Sequence, residues 1–332
     1  MIFLDTYPSS INTPDSFSTI AHEFQHLINF SNTYLVNGTE QETWINEGLS
    51  SGAEYVYSGT VDQDRLDYFN DDPYDTIIFG NNFFVWSGYW ENIDDSRDVL
   101  ANYSTVYLFF QWLRIHASNG IGIYKEILGS SYRDYRAVTS SASVRISSSF
   151  NTWAVLLRTW MESNLLNLST GYKGYLSKIS TTSHCFNSLN NYEWYLSPGE
   201  GVASINGTGS FAPTAGSGTN VKYIGLTATG IEDTISPYTG TAVLSFNANT
   251  LISGYDETCF LASVETTLDS LDFDRIIKIE NTLPALFPIN VTFKVGGGFE
   301  DNSHHIIHSS REKNTANRQQ QRILRLVSNL DE

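Results

Sequence analysis

Positive charge is scarce in this chain: 19 Lys and Arg stand against 36 Asp and Glu, a net charge of −17. A surface so acidic repels phosphate backbones and anionic lipid, which excludes nucleic acid and an acidic membrane surface as main partners. Cysteine is nearly absent. Cys185 and Cys259 are too few for a disulfide framework; they either pair or stand as two buried thiols, and the second arrangement is preferred. No apolar run of about eighteen residues occurs, so no membrane-spanning helix is expected. The opening Met1-Ile2-Phe3-Leu4-Asp5 also lacks the basic and long apolar regions of a signal peptide. Low charge with abundant Ser, Thr, Asn, Gly and Tyr nevertheless has the texture of an exported bacterial protein.

With 332 residues the chain has room for two domains of ordinary size. Its most informative stretch is Ala21-His22-Glu23-Phe24-Gln25-His26-Leu27-Ile28-Asn29-Phe30, an H-E-x-x-H pattern inside a run that reads as helix. Thr13 as N-cap and Pro14 at the first helical position open that helix. Residues four apart on a helix lie about 40° from each other, so His22 and His26 can present both imidazoles to one ion. Glu23 lies about 100° round, beside the ion rather than on it, where a carboxylate can take a proton from water. Three protein ligands and an open fourth position make a catalytic zinc site. The third ligand is expected to be Glu47, 21 residues after His26, within Trp44-Ile45-Asn46-Glu47-Gly48-Leu49-Ser50-Ser51-Gly52-Ala53-Glu54. A loop over residues 31–42, with an Asn37-Gly38 turn, would fold this second helix back on the first. Glu54 returns to the face of Glu47 within about 20°. It is placed either to accept a hydrogen bond from a ligand histidine or to form a surface salt bridge.

H-E-x-x-H followed by W-x-N-E-G-x-x-x-x-x-E resembles the gluzincin zinc metallopeptidases, and His22-Glu23-Phe24-Gln25-His26-Leu27-Ile28-Asn29-Phe30 is most similar to their hyicolysin-like branch. The resemblance covers roughly the first 180 residues, strongly as far as Glu54. It implies a zinc peptidase with one Zn2+ per chain, ligated by His22, His26 and Glu47, with Glu23 as general base and a protein or peptide substrate. It also implies a twisted sheet ahead of the zinc helix. Only Ile2-Phe3-Leu4 is a candidate strand there, so the chain is expected to be truncated at its N-terminus. Nothing between Met1 and Ala21 resembles the G-x-M-E-N segment that holds the α-amino group in aminopeptidase relatives, which points to an endopeptidase. Asn102-Tyr103-Ser104 resembles the segment whose tyrosine stabilises the tetrahedral intermediate. Tyr103 is therefore the expected oxyanion donor; Tyr107 remains an alternative, and His116, about 220° round the helix, points elsewhere. An extracellular or cell-surface location follows from the same resemblance.

Residues 62–98 are acidic, with Asp62, Asp64, Asp67, Asp71, Asp72, Asp75, Asp94, Asp95 and Asp98. Clustered oxygens suit Ca2+, which such families often bind, but no EF-hand spacing is present and a solvated acidic loop is the plainer reading. Trp86, Tyr89 and Trp90 either line a cleft or pack beneath that loop. Residues 97–118 read as a buried helix with almost no polar face, followed by helices near 122–128, 132–144 and 150–166, the last capped by Ser149.

Gly, Ser and Thr then become frequent, and alternating runs at 221–226, 242–246, 275–279 and 291–295 predict strands of a sandwich-type domain. From residue 301 five basic residues meet four acidic ones. His304 and His308 recur there at metal spacing, but without a glutamate or an apolar stripe, and an exposed or disordered tail is expected. The architecture expected is thus α+β: a mostly helical zincin-like metallopeptidase domain (1–190), a β-sandwich-like domain (191–300) and a tail (301–332). The competing function is a catalytically impaired relic that binds surfaces through its β domain.

Overall fold

The computed structural model describes residues 12–71 and 99–181, Gly199 and the strands named below. The candidate strand at 2–4, residues 72–98 with Trp86, Tyr89 and Trp90, both cysteines and the tail lie outside the described residues.

The first part is helical. Helix α1, Pro14–Phe30, starts where the sequence places it: Thr13 is extended and its hydroxyl accepts from Ser16 N at 3.2 Å. Pro14 costs no hydrogen bond at the first helical position, and Asp15 faces the positive end of the helix dipole. The loop expected at 31–42 is shorter than the sequence suggests. The chain runs on through a π-helical turn, Ser31–Leu35. Asn32 Nδ2 and Thr33 Oγ1 donate to Ile28 O and Asn29 O, occupying carbonyls of the preceding turn where the helix widens. Gly38, in the left-handed region at φ 70°, then reverses the chain.

Helix α2, Thr43–Ser58, packs along α1 and ends at left-handed Gly59, whose N–H meets Tyr55 O at 2.8 Å. Helix α3, Gln63–Asp71, corrects the expectation of a solvated acidic loop over its own length. Leu66, Tyr68 and Phe69 are buried while Asp64 is exposed, so a short amphipathic helix hides within the acidic composition. Helix α4, Val99–His116, is the axis of the fold. Its residues 107–113 are all fully buried, Gln111 among them, because α2, α3 and α5 pack around it.

Helix α5, Gly122–Leu128, has the expected bounds. Helix α6, Tyr135–Arg145, begins three residues later than expected, since Asp134 takes the cap and accepts from Arg136 N at 2.9 Å. Helix α7, Trp153–Leu166, is preceded by extended Thr152. Ser149, the expected cap, lies instead in the 3-10 turn Ser148–Asn151, capped by Ser147. Aromatic rings lock the helices together: Trp44 meets Trp153 at 5.5 Å between centroids, and Phe109 meets Trp160 at 5.5 Å, nearly edge to face. Such pairs add about 0.5–1.5 kcal/mol each beyond the area they bury.

Beyond the helices are β1 (Tyr192–Leu196), β2 (Gly201–Ile205), β3 (Val221–Leu226), β4 (Glu232–Asp233), β5 (Ala242–Asn247) and β6 (Phe260–Val264). They pair antiparallel in sheets of order β2-β5-β3-β4 and β1-β6. The strands expected at 221–226 and 242–246 are β3 and β5. Those expected at 275–279 and 291–295 lie outside the described residues.

Candidate metal centre

His22 and His26 leave one face of α1 with ring centroids 4.8 Å apart. Because α2 lies along that face, Glu47 Oε2 comes within 3.3 Å of His22 Nε2 and 3.5 Å of His26 Nε2. The same oxygen is buried and makes no hydrogen bond, so these contacts are electrostatic. Donors at about 2.0–2.1 Å from a tetrahedral zinc are separated by about 3.3–3.4 Å, which is the spacing found here. A buried, unbonded carboxylate oxygen facing two imidazole nitrogens fits such an ion.

Among the described residues, one further combination gathers in the same place: donor atoms of His22, Glu23 and His26 lie within 4.8 Å of one another. Of the two carboxylates, Glu47 has its Oε2 buried and 3.3 and 3.5 Å from the two Nε2 atoms. Glu23 is exposed and stands at the rim.

The outer nitrogens of both imidazoles are engaged. His22 Nδ1–H donates to Glu54 Oε1 at 2.5 Å, and His26 Nδ1–H to Asn46 Oδ1 at 3.0 Å, with Ser50 Oγ 3.1 Å from the latter nitrogen. With each Nδ1–H so committed, Nε2 is the nitrogen left facing Glu47, and the one that could bind an ion once its proton is displaced. Glu54 is held in turn by Arg65, whose Nη2 donates to Oε1 at 2.9 Å and Oε2 at 3.2 Å.

The electrostatics show a site that attracts positive charge. Burial disfavours a charged His22, but contacts with Glu47 and Glu54 outweigh it and bring its pKa up to about 9. His26 is raised for the corresponding reason, with Glu47 overcoming burial. Burial works against the Glu47 carboxylate, yet the two histidines hold it at about 2. The carboxylates thus demand a cation between them, a demand that a divalent ion meets.

Tyr103 on α4 has its ring 6.3 Å from that of His22. Burial, then the charge of Glu47, push its phenol well above the usual range and keep it protonated. Tyr107 faces Asp62: its ring is fully buried and its hydroxyl accepts from Asp62 N at 2.7 Å. His116 donates to Gly174 O at 2.7 Å and packs on Trp112, away from the centre. Sequence reasoning missed Asn46, Ser50 and Arg65. The first two carried a signal, since residues 46 and 50 share a helical face next to Glu47. Arg65 carried none, as α3 itself went unrecognised.

No protein-family model matches the chain. It is similar to the neutral metalloprotease ShpI of Staphylococcus hyicus, with 32% identity over 136 residues. The match takes in 39% of this chain, which spans 29% of the relative's length. This likeness supports a metallopeptidase family for the chain.

Proposed function

We propose that the chain is a zinc-dependent endopeptidase, with His22, His26 and Glu47 as ligands of one zinc ion. The observation that supports this most is the buried, unbonded Glu47 Oε2 facing both Nε2 atoms at 3.3 and 3.5 Å. When bound, zinc polarises the scissile carbonyl and lowers the pKa of a water toward neutrality. Glu23, exposed at the rim, takes the proton of that water and passes it to the leaving amine, so the carboxylate is regenerated in each turnover. Glu54 and Asn46 keep the imidazoles oriented. Tyr103 donates its phenolic proton as a hydrogen bond to the oxyanion, which the phenol can do because it stays un-ionised.

The relative's name carries the substrate class, proteins or peptides, and the proposal extends it to this chain. An extracellular location and the division at about residues 190 and 300 into metallopeptidase domain, β-sandwich and tail belong to the same reading. No described helix is long and apolar enough to cross a membrane. Calcium is left out of it: Asp62 is engaged in capping α3 and pairing with Arg65, while Asp72 and the later aspartates of that stretch lie outside the described residues. The surface-binding alternative has no described feature of its own.

Elemental analysis of the purified full chain tests the reading. Close to one zinc per chain is expected. Less than about a tenth of an equivalent in a folded, zinc-supplied sample overturns it.

A further inference from the structure

We propose that Arg65 is a positioning residue of the metal centre, fixing His22 through Glu54 and fixing the Tyr103 ring by direct contact. This rests on the zinc reading above and adds to it a residue from α3, an element that contributes no ligand.

Glu54 Oε1 accepts two hydrogen bonds at once, from His22 Nδ1–H at 2.5 Å and from Arg65 Nη2–H at 2.9 Å, while Oε2 accepts from the same Nη2 at 3.2 Å. A glutamate held only by the histidine could turn about its last torsion and carry the imidazole with it. Gripped on both oxygens, it cannot. The guanidinium is anchored from the other side: Nε lies 3.2 Å from Asp62 Oδ2, and Asp62 Oδ1 accepts from Arg65 N at 3.1 Å. Its carbon stands 5.3 Å from the centroid of Tyr103 and 5.8 Å from that of Tyr107. Tyr107 closes the frame by accepting from Asp62 N.

Arg65 therefore touches both the carboxylate that orients His22 and the ring that carries the proposed oxyanion donor. Its side chain is 19% exposed and that of Glu54 11%, so the pair is shielded from the solvent screening that weakens surface ion pairs. Lysine would supply the charge without the planar fork that reaches Glu54, Asp62 and the tyrosine face together.

The test is zinc affinity, measured on the full chain by chelator competition, with a thermal melt of each variant. Loss of an orienting partner weakens a metal site by about 10- to 100-fold, and Arg65→Gln is expected to fall in that range. Arg65→Lys should lie between it and the wild type. In a Glu54→Gln background, Arg65→Gln should change affinity by less than about threefold further, because the arginine acts on His22 through that glutamate.

A folded Arg65→Gln protein binding zinc within about threefold of wild type overturns the inference, as does a full additional loss in the Glu54→Gln background. If Arg65→Gln gives no cooperative melt, the lysine variant decides: weakened affinity supports the role and wild-type affinity overturns it. Wild-type protein that takes up no zinc defeats the metal reading and this inference together. Zinc-binding wild type with unchanged variants defeats this inference alone.

Discussion

Glu54 and His22 stand 2.5 Å apart, carboxylate oxygen to Nδ1, joining the middle of α1 to the last turns of α2. The glutamate is buried among side chains, and its partner Arg65, despite that burial, holds the carboxyl below the usual range. An ionised acceptor on Nδ1–H makes the other nitrogen a better donor to a metal. Glu54→Gln keeps the shape and removes the charge. Zinc affinity is expected to fall about 10- to 100-fold in a protein that still folds, read by chelator competition. Affinity within threefold of wild type would show that Glu54 merely ties two helices.

Glu23 separates chemistry from binding. Its neighbours His22 and His26 point to Glu47, while Glu23 stays exposed. Glu23→Gln should hold a full equivalent of zinc yet retain less than about a hundredth of the peptidase activity, whereas His22→Ala should lose metal and activity together. A glutamine variant that cleaves a protein substrate at more than that rate would place the base elsewhere.

The same geometry gives zinc binding a pH dependence. With a pKa of about 9, His22 in metal-free protein carries a proton at pH 7 that the ion must displace. Affinity should therefore rise by about tenfold per pH unit for each proton displaced, up to about pH 9. In the metal-free protein the sign for stability is opposite. The folded pKa exceeds the ordinary value of 6.5, so the His22 contribution is present below pH 6.5 and lost between there and about 9. Competition titrations and thermal melts across that interval check both; an affinity flat with pH would contradict the protonated histidine.

What could be read in the sequence was what local chemistry dictates. Thr13-Pro14 announces a helix start whatever surrounds it, and two histidines four apart meet on any helix. Glu47 and Glu54 were legible because their spacing on one helix is fixed by its pitch. Arg65 was not, since its role depends on α3 folding onto α4, and α3 was masked by aspartates that equal its apolar residues in number. The π-helical turn after α1 was equally hidden, because it depends on Asn32 and Thr33 bonding back to the preceding turn and on no apolar period. Ser149 failed as a cap because Phe150, drawn into the core, pulls the chain through a 3-10 turn first.

Gly48 sets how closely α2 approaches α4. A Cβ there would lie 2.2 Å from a ring carbon of Phe110, and Phe110 is fully buried between Trp44 and Tyr124, with nowhere to swing. Gly48→Ala is expected to cost about 1–3 kcal/mol, seen as a lower melting temperature. Since Glu47 is the neighbouring residue, zinc affinity should fall with it. An alanine variant as stable as wild type would mean that α2 can retreat from α4 without penalty.

Tyr103 carries the last prediction. Its hydroxyl is the donor proposed for a developing oxyanion: the ring lies 6.3 Å from that of His22, and burial with the charge of Glu47 keeps the phenol protonated. Tyr107 is placed less well, being fully buried with its oxygen held at Asp62 N, although it accepts in that bond and keeps its own proton. Tyr103→Phe removes one oxygen and leaves the ring against Arg65, so folding and zinc content should persist. Removal of a single oxyanion donor slows catalysis by about a hundred- to a thousandfold. The loss should appear in kcat, with KM little changed, because the interaction forms only as charge develops on the substrate oxygen. A phenylalanine variant within threefold of wild type in kcat would remove Tyr103 from the mechanism and leave Tyr107 to be tested next.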